Sequence, residues 1–119
     1  MVTEERITDP VTGGAKGQKL ARFDLIPWDA LTQVAEVYGV GARKYDDDNW
    51  LKGYRWRLSA GALARHFALW SVGQDNDAET GIPHMAHCAW HCLTLLTYSM
   101  RGLGTDDRAK HVPAQSGAV

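Results

Sequence analysis

The sequence predicts an all-α protein, a small helical bundle of three to four helices with short connections. Three segments repeat apolar residues at intervals of three and four, which is the spacing of amphipathic helices. No segment shows a convincing alternation of apolar and polar residues, the pattern expected of a half-buried strand. A length of 119 residues is sufficient for one domain with one modest core.

Residues 1–27 are predicted to be irregular. The stretch "DPVTGGAKGQK" contains one proline and three glycines among polar residues, a composition typical of loops. We expect residues 1–18 to form a flexible N-terminal arm and residues 19–102 to form the folded domain. The apolar side chains of "LARFDLIP" are expected to dock on the core of that domain.

The first helix is predicted over about residues 28–45. Pro27 suits the first turn of a helix, and Trp28, Leu31 and Val34 then recur at helical spacing. Two glycines weaken the C-terminal end of this helix. The following stretch, "DDDNWLKGYRWR", is predicted to be a polar and aromatic loop, because three consecutive aspartates repel each other.

Two further helices follow in the second half of the chain. One is predicted from Ser59, a suitable N-cap, to Val72. The other is predicted from near Pro83 to a stop at Gly102, since glycine commonly ends helices. Residues 103–119 have little apolar surface to bury and are predicted to be a flexible tail.

Composition and charge narrow the function classes. The net charge of −1 favours neither a nucleic-acid partner nor an anionic membrane. No apolar run is long enough to cross a bilayer, and "MVTEERITDP" lacks the basic and apolar regions of a secretory signal. Cys88 and Cys92 lie four apart on a predicted helix, a spacing that disfavours a disulfide. We therefore expect a cytoplasmic protein with reduced thiols.

The stretch "GIPHMAHCAWHC" contains three histidines and two cysteines. On a helix, His84, His87, Cys88 and His91 form one stripe. In one interpretation, these histidines are hydrogen-bonded core or interface residues. In a second, Cys88 and Cys92 bind structural zinc, although one helix cannot close a tetrahedral site. In a third, His84 and His87 belong to a catalytic metal site, with Cys88 and His91 as packing residues.

A catalytic metal site needs carboxylates, and the connection "GQDNDAETG" supplies three of them just before the third helix. The N-terminal dipole of that helix favours anions at this point. The first helix contributes one acid, Glu36, among apolar residues, and the second contributes His66 as a further ligand or a proton shuttle. The predicted metal ligands are Glu36, Asp77, His84 and His87, and the other catalytic candidates are His66, Asp75 and Glu79.

Cations and aromatic residues complete a candidate nucleotide pocket. Lysine and arginine can bind phosphates, an amide can bind polar groups, and an aromatic face can stack on a base. The phosphate-binding candidates are Lys19, Lys44 and Arg65, with Arg22 and Arg43 nearby in sequence. The candidates for contacts to the nucleoside are Tyr45, Asn49 and Trp50.

Three stretches together resemble a known family. "RFDLIPWDAL", "GARKYDDDNWLKG" and "LARHFALWSVGQDNDAETGIPHMAHCAWH" are similar to segments of the dATP/dGTP diphosphohydrolase family of phages and bacteria, a MazG-like group. The resemblance covers about residues 19–98. Each motif alone is weak, whereas the set FDLIP, GA-x-KY-x(3)-NW-x-KG, RH and D-x-E-(S/T)-G-x-P-H-x-x-H is fairly specific.

The resemblance implies an all-α nucleotide pyrophosphohydrolase that assembles as a dimer or tetramer. It implies cleavage between the α and β phosphates of a purine deoxynucleoside triphosphate, dGTP or dATP, with a divalent metal holding the phosphates. The family pattern falls on Lys19, Asp24, Lys44, Tyr45, Asn49, Trp50, Arg65, His66, Asp77, Glu79, His84 and His87.

One departure from the wider MazG-like pattern affects the expected metal. That pattern has E-E-x-x-E on one helix and E-x-x-D on another, whereas this chain has only Glu36 and the pair His84-x-x-His87. Imidazole suits Mn²⁺, Co²⁺, zinc or iron better than Mg²⁺. Either the metal differs, or Mg²⁺ binds Glu36, Asp75 and Asp77 while the histidines act as acid or base.

The predicted function is therefore a metal-dependent nucleotide diphosphohydrolase that converts dGTP or dATP to the monophosphate and diphosphate. One alternative is a phage protein that binds or sequesters a nucleotide without turnover. Another is an HD-type nucleotide phosphohydrolase, because three histidines and Asp77 also fit a His/Asp metal cluster. A phage-encoded chain would act in the host cytoplasm.

Overall fold

A computed structural model describes residues 4–110. It consists of a two-stranded antiparallel sheet followed by three α-helices, with two short 3-10 turns at Phe23–Leu25 and Asn49–Lys52. The predictions for residues 1–3 and 111–119 lie outside the described residues. The elements are β1 (Glu4–Thr8), β2 (Ala15–Lys19), α1 (Trp28–Lys44), α2 (Trp56–Ser71) and α3 (His84–Arg101).

The strands β1 and β2 correct the prediction of a purely all-α fold. They form a hairpin whose register runs from Glu4 opposite Lys19 to Thr8 opposite Ala15. The Asp9 carboxylate holds the turn by accepting hydrogen bonds from the backbone N–H groups of Val11 and Thr12. The sequence hides this hairpin because almost every residue in it is exposed on both faces, so no apolar alternation results.

Helix α1 confirms the predicted first helix almost to the residue. It follows Pro27 and places Val34 and Val37 in the core. The two glycines near its C-terminal end do not break it, since the Tyr45 N–H still bonds to the Gly41 carbonyl. Glu36, between the two valines in sequence, is exposed.

Helix α2 begins at Trp56, three residues before the predicted N-cap. Residues after α3 cap this end, because the Arg57 N–H donates to the Asp107 carboxylate and the Trp56 N–H donates to the Thr105 carbonyl. Ser59 is consequently a buried residue inside the helix, and its prediction as an N-cap was wrong.

The segment after α3 packs against the start of α2. The Trp56 indole N–H donates to the Leu103 carbonyl at 2.9 Å. Gly104 has a φ of +68°, and a Cβ there would lie 2.2 Å from the Tyr54 carbonyl oxygen, so this close approach requires glycine. The predicted flexibility of the tail stays a prediction, but its first residues are held by these contacts.

Helix α3 confirms the predicted third helix and organises the fold. It starts after Pro83 and ends at Gly102, whose φ of +65° is left-handed. It packs against both α1 and α2, with a small core around Val34, Val37 and Ala86. Within residues 4–110, no helix is long and apolar enough to span a membrane.

Candidate active site

A cavity of about 810 Å³ lies between the C-terminal half of α1, the loop after it, helix α2 and the first half of α3. It is lined from α2 by Arg65 and His66, and from α3 by His87, Trp90 and His91. Polar, cationic and aromatic side chains thus share one concave surface, as expected of a ligand site.

Three imidazoles pack together beside this cavity, and two of them, His66 and His87, line it. His66 lies 2.8 Å from His84, measured between their Nδ1 atoms. The His66 ring also stacks on His87, with centroids 4.4 Å apart and an interplanar angle of 4°. All three are buried, and His84 has no exposed surface. The sequence creates this cluster because His84 and His87 are three residues apart on α3 and face α2.

The turn between α2 and α3 adds a carboxylate to the imidazoles. The Asp77 N–H donates to the Ile82 carbonyl, and the Gly81 N–H donates to the Asp77 carbonyl. This closed turn presents the Asp77 side chain to His87, whose Nε2 lies 3.8 Å from Asp77 Oδ2. The His84 N–H donates to the Asp75 carbonyl, which ties the start of α3 to the same turn.

Thr80 joins Asp77 to His87 and determines the protonation of that imidazole. Thr80 donates to Asp77 Oδ2 from both its backbone N–H, at 3.0 Å, and its hydroxyl, at 2.9 Å. With its proton so used, the Thr80 hydroxyl oxygen accepts from His87 Nε2–H at 2.9 Å. His87 is therefore held as the Nε2–H tautomer, with its Nδ1 lone pair available.

Gln74 orients His84 in a comparable way. Its side-chain oxygen accepts from His84 Nε2–H at 2.6 Å. The proton on Nε2 leaves the lone pair of Nδ1 directed at His66. A metal-binding histidine commonly donates its second ring N–H to such an acceptor, which fixes its orientation.

His66, Asp77 and His84 form a group suited to a cation. One potential ligand atom from each lies within 4.8 Å of the other two. Two ligands at about 2.1 Å from a metal and at right angles would be about 3 Å apart, close to the separation of the two histidine nitrogens. Two nitrogens with one carboxylate oxygen suit Mn²⁺, Co²⁺, Fe²⁺ or Zn²⁺ better than Mg²⁺.

The surroundings favour neutral imidazoles and an ionised aspartate. Burial lowers the pKa of His66 and of His87, and the neighbouring imidazoles lower each further. Burial lowers the pKa of His91 to about 4. Burial raises the pKa of Asp77, but the hydrogen bonds from Thr80 outweigh it, so the pKa is lowered overall. These are the protonation states that metal ligands require.

The rim of the cavity carries more negative than positive charge. Lys44 from α1 and Arg65 from α2 are the cationic side chains that line it. Lys44 lies 4.0 Å from Glu79, and both are exposed. The lining acids are Asp46, Asp47, Asp48, Asp77 and Glu79. With neutral histidines the net charge of this surface is −3, which opposes a bare triphosphate.

An aromatic cluster forms another part of the cavity wall. Tyr38, Trp50 and Trp90 meet with centroids 5.8 to 6.4 Å apart, mostly in edge-to-face arrangements. Trp50 also stacks against Tyr98, whose buried hydroxyl donates to the Trp50 carbonyl. This packing fixes Trp50 in the loop after α1, and Tyr45 at the cavity edge is exposed.

Comparison with known proteins places the chain in a family. A family model described as "dATP/dGTP diphosphohydrolase, N-terminal" matches residues 10–108. The chain belongs to this family. It is 34% identical over 98 residues to a protein of Salmonella phage PMBT28 named dATP/dGTP diphosphohydrolase. The match covers 82% of this chain and 33% of that relative, so the chain spans about a third of its length. No solved structure matches.

Most residues predicted from the diphosphohydrolase resemblance converge on the cavity. The predicted metal and catalytic residues His66, Asp77, Glu79 and His87 line it, and His84 lies against His66. The substrate-binding candidates that line it are Lys44, Tyr45, Asn49, Trp50 and Arg65.

Four predicted residues lie elsewhere. Glu36 is exposed and does not line the cavity, because the core-facing positions of α1 beside it are taken by valines. Asp75 is also exposed, and its contribution is the backbone carbonyl that caps α3. Lys19 pairs with Glu4 on the hairpin at 3.0 Å, and Asp24 pairs with Arg22 at 2.7 Å.

Four residues that shape the site were not among the site residues predicted from the sequence. Gln74 and Thr80 orient His84 and His87, while Ser59 and Tyr54 form a chain to His91. The spacing Asp77-x-x-Thr80 was a usable signal, because threonine three residues after aspartate commonly closes a side-chain turn. No local pattern indicates the other three contacts, since they join separate elements. Neither cysteine is in the cluster: buried Cys88 Sγ contacts the Leu63 carbonyl, and Cys92 is exposed.

Proposed function

We propose that this domain hydrolyses purine deoxynucleoside triphosphates, dGTP and dATP, to the monophosphate and diphosphate with the aid of a divalent metal. The observation that carries the proposal is the cluster of His66, Asp77 and His84 beside a nucleotide-sized cavity, in a chain of the diphosphohydrolase N-terminal family. The name of the phage relative supports the substrate class, although this chain spans only part of that protein.

The metal in this proposal would be held by His66, Asp77 and His84. The donor set favours Mn²⁺ or Co²⁺ over Mg²⁺. When bound, such an ion would supply positive charge beside the phosphates and would lower the pKa of an attacking water. The net negative cavity supports a cation requirement, because within residues 4–110 a triphosphate would otherwise approach five carboxylates with only two basic side chains to offset them.

The remaining cavity residues would bind the nucleotide in three ways. Lys44 and Arg65 contact phosphate oxygens, Arg65 in a forked geometry that suits two oxygens at once. Trp50 or Tyr45 stacks on the base, and the Asn49 amide bonds a polar group of the nucleoside. Each of these side chains lies on the cavity surface, which is the requirement for direct contact.

Proton transfer would use acidic or imidazole groups beside the metal ligands. Glu79 is an exposed carboxylate of the turn between α2 and α3, and it lines the cavity near Lys44. We assign it the acceptance of a proton from the attacking water. His87 and Thr80 hold Asp77 in place, so these two residues act by positioning.

A homo-oligomer is the expected assembly, and the surface of α3 supports it. Among Asp, Glu, Lys and Arg, the 18 residues of α3 include only Arg101. Leu93, Leu96 and Met100 are 40%, 56% and 75% exposed on this helix. Exposed apolar side chains grouped on one helix are typical of an interface, so a second copy of the chain covering this face is the proposed arrangement.

Product analysis tests the reaction. The chain is incubated with dGTP or dATP and with Mg²⁺, Mn²⁺ or Co²⁺, and the products are separated by anion exchange. With Mn²⁺ or Co²⁺, the expected products are diphosphate and the nucleoside monophosphate. His84→Ala should form neither product, whereas the exposed control Cys92→Ser should form both. Release of inorganic triphosphate instead of diphosphate would indicate an HD-type nucleotide phosphohydrolase. Tight binding without any product would indicate a sequestering protein.

A further inference from the structure

His91 lies on α3 one turn after His87 and is part of the cavity wall. Its Nδ1 is 2.9 Å from the Ser59 hydroxyl, and its ring meets Trp90 edge-on with centroids 4.8 Å apart. His66 packs on another side, at 6.1 Å. These contacts fix the ring, while Nε2 has no hydrogen-bond partner among residues 4–110. That nitrogen is therefore available to a ligand in the cavity.

The tautomer of His91 is set by a chain of two hydroxyls. Ser59, which is 1% exposed, lies 2.5 Å from the Tyr54 hydroxyl and bonds His91 on its other side. If Tyr54 donates to Ser59 and Ser59 donates to Nδ1, then His91 presents Nε2–H. If Nδ1–H donates to Ser59 and Ser59 donates to Tyr54, then Nε2 presents a lone pair. In both arrangements the Ser59 hydroxyl donates one of its two hydrogen bonds and accepts the other.

The surroundings of His91 indicate which part of a nucleotide it would meet. Lys44 and Arg65 line the same cavity and are the better phosphate ligands, whereas His91 pairs through Nδ1 with the neutral Ser59 hydroxyl. The adjoining wall is the aromatic cluster of Tyr38, Trp50 and Trp90, a surface suited to stacking against a base. A base edge is thus the expected neighbour of Nε2.

We propose that His91 Nε2 contacts the 6-position of the purine, donating to a 6-oxo group and accepting from a 6-amino group. Guanine carries a hydrogen-bond acceptor at this position and adenine carries a donor. A fixed donor or a fixed acceptor could satisfy only one of them. The reversible chain through Ser59 and Tyr54 lets one nitrogen serve both, so this inference rests on the proposed function and deepens it.

The first arm of the test varies the substrate. The ratio kcat/KM is measured for dGTP, dATP and the triphosphates of deoxyinosine, 2,6-diaminopurine and unsubstituted purine deoxynucleosides. The kcat/KM for deoxyinosine triphosphate should match that for dGTP, and the kcat/KM for the diaminopurine nucleotide should match that for dATP. The reason is that His91 would contact only the 6-substituent. The kcat/KM for the unsubstituted purine nucleotide should be about fivefold lower, which corresponds to the loss of one hydrogen bond. Equal values for substituted and unsubstituted purines would overturn the proposal.

The second arm varies the protein. Tyr54→Phe removes the acceptor for the Ser59 proton in the second arrangement, which leaves Nε2 mainly a donor. We expect it to raise the preference for dGTP over dATP by about fivefold. His91→Phe should lower kcat/KM for dGTP and for dATP to a similar degree, and Cys92→Ser should change neither value. An unchanged preference in folded Tyr54→Phe contradicts the inference, and the substrate series decides if that variant does not fold.

A binding measurement separates this inference from the proposed function. If the wild-type chain hydrolyses none of the nucleotides, the same ratios are obtained as dissociation constants by calorimetry with Mn²⁺. The same dependence on the 6-substituent in binding would support base recognition by His91 while contradicting the catalytic proposal. Dissociation constants that do not change with the 6-substituent, with Tyr54→Phe or with His91→Phe would overturn the role of His91.

Discussion

The depressed pKa of His91 makes a quantitative prediction about the stability of the metal-free chain. Burial lowers this pKa from 6.5 to about 4 in the folded state. The unfolded chain therefore binds more protons than the folded chain between these two values. The contribution of His91 to stability is therefore complete above about pH 6.5 and is lost as the pH falls toward 4.

The size of the effect can be worked out from the same two pKa values. At pH 5 the unfolded imidazole is almost fully protonated and the folded one almost fully neutral, which corresponds to about 2 kcal/mol. His91 lines the cavity and is partly exposed to solvent, so we reduce the expected contribution to about 1 kcal/mol. This amount is large relative to the stability of a small domain.

The assay compares wild type with His91→Gln, which does not titrate and whose amide can still bond Ser59. Urea unfolding is followed by tryptophan fluorescence at several pH values between 7.5 and 5, with a chelator present. The loss in free energy of unfolding between these limits should be about 1 kcal/mol smaller in His91→Gln. Parallel curves of stability against pH would refute the assignment of a neutral, buried imidazole at this position.

Four further outcomes follow from the structure. Mn²⁺ at 100-fold above its dissociation constant should stabilise the chain by about 2.7 kcal/mol in thermal or urea unfolding, and His84→Ala should abolish this gain. Thr80→Val should cost about 1–3 kcal/mol of folding stability and weaken Mn²⁺ binding, because it removes the hydroxyl that donates to Asp77 and accepts from His87. Tyr98→Phe should cost about 1–2 kcal/mol in urea unfolding by leaving the Trp50 carbonyl unpaired, whereas exposed Tyr45→Phe should change little. Leu96→Glu should lower the mass measured by light scattering, and an unchanged mass would exclude this face of α3 from the interface.

The helices were predictable from sequence because each has one apolar face at helical spacing. The first and third helices begin and end within a residue or two of their predicted limits, since Pro27, Pro83 and Gly102 are strong local signals. The hairpin β1–β2 was missed because it buries no face. The start of α2 was placed late because its cap comes from Asp107, about fifty residues away in sequence.

The site was predictable to the extent that its residues are close in sequence. The turn after α2 and the start of α3 contain Asp77, His84 and His87 within eleven residues, and these do converge. Placing Glu36 in the same site required the rotation of α1 relative to α3, which no local pattern specifies. The structure points this side chain outward, so the carboxylate of the cluster comes from the turn alone.

The turn between α2 and α3 explains how a protein with a small core can hold the cluster of histidines and Asp77 in a fixed arrangement. Buried imidazoles and a buried carboxylate are costly unless each is hydrogen-bonded. Gln74 and Thr80 satisfy His84, His87 and Asp77 from a single connection, and the Asp75 carbonyl binds the start of α3. The cluster therefore depends on the conformation of one turn more than on the extent of the core. Gly81, with a φ of +74°, is the point where this can be tested: Gly81→Val should impair Mn²⁺ binding more than the helix content, and normal Mn²⁺ affinity would contradict this dependence.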